Sequence, residues 1–123
     1  MKVLLIDDDK SVTEAVCFYL ETCGILCKVV NDGKEGLDYI RKNNTNGVFF
    51  DTILLDLAMP VFSGYDIFTI LKVEGLLKSN RVILFTASVL PDDKIQNMLA
   101  DGVKGVLRKP FSLEELESAI KVP

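Results

Sequence analysis

Five times along this chain a short apolar run is followed by a polar cap and then a stretch of helical period. The first run is Val3-Leu4-Leu5-Ile6. Ser11 follows it, with Glu14 three residues on, which reads as a capping box in which hydroxyl and carboxylate satisfy backbone amides. Val12, Ala15, Val16, Tyr19 and Leu20 give that helix one apolar stripe, and Gly24 is placed to end it. The second run spans about Leu26 to Val30, and Asp32 with Glu35 opens the next helix. A polar loop, Asn43-Asn44-Thr45-Asn46-Gly47, precedes a third strand expected over Thr52 to Leu57. The third helix follows Ser63-Gly64 and is expected to run to about Leu77. Strand four is expected over Arg81 to Thr86, and Pro91 falls where a first helical turn tolerates a missing N–H. Strand five, Val103 to Arg108, leads to Pro110 and to a second capping box of Ser112 and Glu115.

Strands joined through helices make right-handed crossovers, so the expected architecture is α/β, a doubly wound parallel sheet with helices on both faces. Strands one, three and four are uninterrupted apolar runs, as central strands covered on both sides should be. Strands two and five carry Lys28, Lys104 and Arg108, charges that suit edges. The order 2-1-3-4-5 satisfies both facts, and it puts the switch point, where a ligand should sit, beyond the ends of strands one and three.

A length of 123 residues fits one domain spanning 1–123 with a single continuous core. The net charge of −4 argues against a nucleic-acid-binding surface, which would be basic. No apolar run is long enough to cross a bilayer, and Asp7, Asp8 and Asp9 interrupt the first one too soon for a signal peptide. The expected location is therefore cytoplasmic. Cys17, Cys23 and Cys27 have no histidine to join them in a metal site and no Cys-x-x-Cys pair, so they read as reduced, packed thiols.

The strand ends carry the chemistry. Strand one ends in Asp7-Asp8-Asp9, strand three in Asp56, strand four in Thr86 and strand five in Lys109. On one sheet edge these carboxylates would repel unless a cation intervened, and Mg²⁺ suits a site with few carboxylates and retained waters. Lys109 adds a mobile point charge for a carboxylate or phosphoryl oxygen, and Thr86 adds a hydroxyl donor. Such a set suits phosphoryl transfer, with a carboxylate as nucleophile because histidine and cysteine are absent from it.

The runs Leu5-Ile6-Asp7-Asp8-Asp9 and Leu54-Leu55-Asp56-Leu57-Ala58-Met59-Pro60, the pair Thr86-Ala87 and the triplet Lys109-Pro110-Phe111 resemble the signature of two-component response-regulator receiver domains. All four occur in order, over nearly the whole chain. The resemblance implies a flavodoxin-like, chemotaxis-regulator-like (βα)5 fold. It implies that Asp56 accepts the phosphoryl group from a phosphohistidine donor, a sensor histidine kinase or a histidine phosphotransfer protein. A chain without histidine cannot itself be that donor. It further implies Mg²⁺, with Mn²⁺ able to substitute, held by Asp7, Asp8, Asp56 and the Ala58 backbone carbonyl. Thr86 and Lys109 would contact the phosphoryl oxygens, and Lys109-Pro110 would be a cis peptide. A surface of helix four, strand five and helix five would meet a downstream effector or a second copy.

Other acids have plainer roles. Asp9 is placed to interact with the start of the first helix, and Asp51, at the far end of strand three, reads as a solvated turn residue. Asn31-Asp32-Gly33 is a strand-to-helix turn without the further glycines of a phosphate cradle. One departure stands out: the family commonly has Tyr or Phe three residues before the lysine, and Val106 stands here. A valine is too short and stiff to swing inward as that ring does. Ala58 and Ser88, at positions that tune phosphoryl lifetime in the family, are both small and leave room for an attacking water.

Two other functions would draw on some of the same residues. A Mg²⁺-dependent phosphohydrolase with an aspartyl nucleophile would need an acid two residues after Asp56, where Ala58 stands, or a cap domain. A binding module that had lost the chemistry would not need the full set of Asp7, Asp8, Asp56, Thr86 and Lys109.

Overall fold

The computed structural model describes residues 1–43, 45, 49–86 and 91–121. Strands and helices alternate as β1 (Lys2–Ile6), α1 (Lys10–Thr22), β2 (Leu26–Val30), α2 (Gly33–Lys42), β3 (Thr52–Asp56), α3 (Gly64–Val73), β4 (Val82–Thr86), α4 (Asp92–Asp101), β5 (Gly105–Arg108) and α5 (Leu113–Lys121). The strands form one parallel sheet in the order β2-β1-β3-β4-β5. The edges are the strands whose charges suggested it, although Lys104 lies just before β5, its N–H donating to the Val82 carbonyl.

Strand side chains alternate between faces, so each central strand feeds two cores. Leu4, Ile6, Ile53, Leu55, Val82 and Leu84 pack with Leu37 and Ile40 of α2, Ile67 and Leu71 of α3 and Met98 of α4. Val3, Leu5, Leu54, Ile83 and Phe85 pack with Val16 and Leu20 of α1 and Leu116 and Ile120 of α5. Every residue of β3 and β4 is buried, which explains why their sequences show no polar alternation. Burial of each such Leu or Ile contributes roughly 1.5–3 kcal/mol relative to exposure.

Two helix boundaries differ from the sequence expectation. The cap of α1 is Asp9, whose carboxylate accepts from the Ser11 N–H at 3.0 Å, the Ser11 hydroxyl at 2.7 Å and the Val12 N–H at 3.3 Å. An anion beside these amides displaces the Ser11–Glu14 box and starts the helix at Lys10. α3 ends at Val73 rather than near Leu77, because Gly75 takes φ 73° and turns the chain so that Leu77 enters the core. Asp32, Ser63 and Ser112 cap their helices, the last two through reciprocal capping boxes with Asp66 and Glu115. The Lys109–Pro110 peptide is cis, as the resemblance implied.

Remote from the strand ends, Asn43 holds the loop before β3. Its amide donates to the Phe50 carbonyl at 3.2 Å and to Asn80 Oδ1 at 2.9 Å, and its Oδ1 accepts from the Phe50 N–H at 2.7 Å. Asp51 is exposed, as expected, yet its carboxylate accepts from the Lys2 N–H at 2.7 Å and so closes the start of β1. Arg81, just before β4, donates to the Ala119 carbonyl at 2.8 Å and anchors the last turn of α5. Arg81→Met should therefore cost about 1–2 kcal/mol and speed amide exchange at the end of α5 alone, as read by hydrogen–deuterium exchange. Protection unchanged there would count against the anchor. The three cysteines are free thiols, and burial foremost pushes the Cys27 thiol up. Among the described residues, no helix is long and apolar enough to cross a membrane.

Candidate functional site

β1 and β3 are neighbours, so the residues that follow or end them meet at the carboxyl edge of the sheet. Asp7 is fully buried; its backbone N–H donates to the Val30 carbonyl at 3.1 Å, and Asn31 Nδ2 donates to its carbonyl at 2.8 Å. Asn31 thus fixes the start of the acidic segment, a role its place in a turn did not disclose. Asp56 closes β3, 4% exposed, opposite Phe85 in register. Asp8 is exposed on the rim. Carboxylate oxygens of Asp7, Asp8 and Asp56 lie within 4.8 Å of one another, the expected convergence. Asp9 belongs to the cap of α1, as its placement in sequence suggested.

Lys109 provides the counter-charge. Its Nζ donates to Asp7 Oδ2 at 2.9 Å and lies 4.5 Å from the centroid of the Phe85 ring. The other Asp7 oxygen accepts from the Asp9 N–H at 3.0 Å. The backbone N–H of Lys109 donates to the Thr86 carbonyl at 2.9 Å, which joins the ends of β4 and β5. Thr86 is buried one residue beyond the register partner of Asp56. The expected site residues therefore occupy one edge, with the lysine on Asp7.

Charge in this arrangement is not balanced at Asp56. Burial foremost, then the hydrogen bond and negative charge of Asp7, push its carboxyl up to about 7, against the pull of Lys109 and of the Ala58 N–H at 3.3 Å. Hard oxygen donors this close, one of them short of compensating charge, fit a small divalent cation. The segment after Asp56 is tightly held. A Cβ on Gly64 would lie 1.9 Å from the Asp56 carbonyl oxygen, so only glycine lets α3 start against the end of β3. Val61, almost wholly exposed, takes φ 67°, a costly conformation for a β-branched residue. The segment Ala87 to Leu90, including Ser88, lies outside the described residues. Val106 is half-buried on β5 against the core that α3 and α4 cover.

The family model for the response regulator receiver domain matches residues 3–121. The transcriptional regulatory protein DltR of Streptococcus agalactiae serotype III (strain NEM316) is 31% identical over 122 residues, which cover 99% of this chain and 51% of DltR. The chain spans about half the length of the curated relatives it matches. The receiver domain of Francisella response regulator 1452 has a TM-score of 0.81 at 34% identity, covering 97% of this chain and 92% of that one. Chemotaxis protein CheY4 of Vibrio cholerae has a TM-score of 0.79 at 30% identity, covering 98% of this chain and 95% of its own. The sheet order β2-β1-β3-β4-β5 and the carboxylates gathered at its switch point accompany the family match over nearly the whole chain, and the chain belongs to the response regulator receiver domain family.

Proposed function

We propose that residues 1–123 act as one receiver domain in which Asp56 takes a phosphoryl group from a phosphohistidine in a sensor histidine kinase or phosphotransfer protein. The observation that carries this reading is the buried Asp56 carboxylate at the end of β3, within 4.8 Å of two further carboxylates and beside a lysine–aspartate pair. An Asp56 oxygen attacks phosphorus, the P–N bond to imidazole breaks, and the imidazole retains the bonding pair and takes a proton. Asp7, Asp8 and Asp56, with the backbone carbonyl of Ala58, would hold Mg²⁺ or Mn²⁺. When bound, that cation supplies positive charge between the carboxylates and the phosphoryl oxygens. Lys109 exchanges its Asp7 partner for a phosphoryl oxygen, and the Thr86 hydroxyl donates to another. A shallow apolar groove of about 400 Å³, lined by Val12, Lys109, Pro110 and Phe111, adjoins the site.

Output follows from the position of Thr86 at the end of the strand that leads toward α4. Drawing its hydroxyl to the phosphoryl group biases the α4–β5–α5 surface, where an effector or a second copy would bind. DltR is by name a transcriptional regulatory protein, which supports an output in transcription. Incubation with acetyl phosphate and Mg²⁺ tests the reading. Phosphoryl incorporation should be stoichiometric, lost in excess chelator, and abolished in Asp8→Ala. Incorporation that persists in chelator rejects the metal assignment, and sustained turnover of a phosphorylated substrate would instead favour a phosphohydrolase.

A further inference from the structure

Gly33 opens α2 next to the loop that follows the acceptor. A Cβ built on it would sit 2.2 Å from the Phe62 carbonyl oxygen and 3.1 Å from the Phe62 ring. Phe62 lies in the segment between Asp56 and Ser63, the cap of α3. That segment is pressed from both ends, by Gly64 against the Asp56 carbonyl and by Gly33 against the Phe62 carbonyl. Between them Val61 holds its left-handed backbone with its side chain in solvent. An exposed valine gains no packing there, so the strain is sustained by what encloses the loop.

We propose that Gly33 is a positioning residue for phosphoryl acceptance: the bare backbone at the start of α2 fixes the loop carrying Leu57 to Phe62, and thereby the Asp56 carboxylate and the Ala58 backbone. The inference rests on Asp56 being the acceptor. A methyl group at residue 33 must push the Phe62 carbonyl away by about 0.8 Å to reach even a 3.0 Å contact. Backbone opposes backbone here, so no side-chain rotation relieves it. A shift of about 1 Å in reacting groups costs up to about a hundredfold in rate.

Asp32 offers a second handle without added bulk. Its exposed carboxylate accepts from the Glu35 N–H at 3.3 Å and holds the first turn of α2 in place. Loss of that cap frays the turn that bears on Phe62, whereas asparagine caps about as well as aspartate. Asp32→Ala and Asp32→Asn both remove the charge, so a difference between them reports the cap alone.

The test measures phosphoryl uptake from acetyl phosphate with Mg²⁺, Mn²⁺ affinity by electron paramagnetic resonance, and metal-free amide shifts of Leu57, Ala58 and Phe62. Gly33→Ala should slow uptake at least about tenfold, weaken Mn²⁺ binding and move those amides, at a temperature where the variant is fully folded. Uptake, Mn²⁺ affinity and amide shifts equal to wild type, with only the melting temperature lowered, would overturn the proposal and leave Gly33 a packing residue. Should Gly33→Ala not fold, the Asp32 pair decides. Slower uptake in Asp32→Ala but not in Asp32→Asn supports it, and any other outcome of that pair overturns it. Wild-type protein that takes up no phosphoryl group would instead reject Asp56 as acceptor, a failure distinguishable from that of Gly33.

Discussion

Replacing Asp56 by asparagine should stabilise the metal-free protein by roughly 1–3 kcal/mol, even as it removes the proposed acceptor. Burial and Asp7 raise the Asp56 carboxyl to about 7, so ionising it in the folded chain is unfavourable relative to the unfolded chain. The sign is opposite to that of a salt-bridged aspartate. A folded-state value above the unfolded one contributes stability at low pH that is lost as pH rises through about 7. The gain from Asp56→Asn should therefore be small near pH 4, grow between about 4 and 7, and level off above. Saturating Mg²⁺ should narrow the difference, since a bound cation stabilises the charged form. Urea denaturation across this pH range, with and without Mg²⁺, reads all three features. A constant difference at every pH would show that Asp56 ionises freely.

A second large effect is expected at the opposite end of the sheet. Asn43→Ala removes an amide that bonds both backbone groups of Phe50 and the side chain of Asn80. All three residues are buried, so the Phe50 N–H and the Asn80 oxygen lose these partners where water cannot readily replace them. The cost should be about 3–5 kcal/mol, a urea midpoint lower by about 2 M. Phosphoryl uptake per folded molecule should stay at the wild-type value, because Asn43 lies before β3 and Asp56 ends it. A midpoint within about 0.5 M of wild type would show that the network contributes little.

Much of this was legible in the sequence because local spacing encodes it. Runs such as Ile53-Leu54-Leu55 have no polar alternation because both faces are covered, and that places β3 centrally. Carboxylates at the ends of β1 and β3 converge because the crossovers leave no other arrangement. The misses involve long-range contacts. Asn43 sits in a polar stretch that reads as loop, and its partners lie 7 and 37 residues away. Asn31 and Gly33 sit in an ordinary turn, and their roles follow from the Asp7 carbonyl and the Phe62 carbonyl. At α1 two cap candidates lay two residues apart, and an ionised carboxylate accepting three donors displaced the serine. Val106, where the family commonly has an aromatic ring, is half-buried on β5 and packs against the core.

Acceptance of the phosphoryl group by Asp56 is open to chemical trapping. Borohydride reduces an aspartyl phosphate to homoserine, which marks the residue permanently. After incubation with acetyl phosphate and Mg²⁺, reduction and peptide mass spectrometry should find homoserine at position 56 and at no other aspartate. Homoserine at Asp7 or Asp8, or a stoichiometrically phosphorylated chain with aspartate intact at 56, would contradict it.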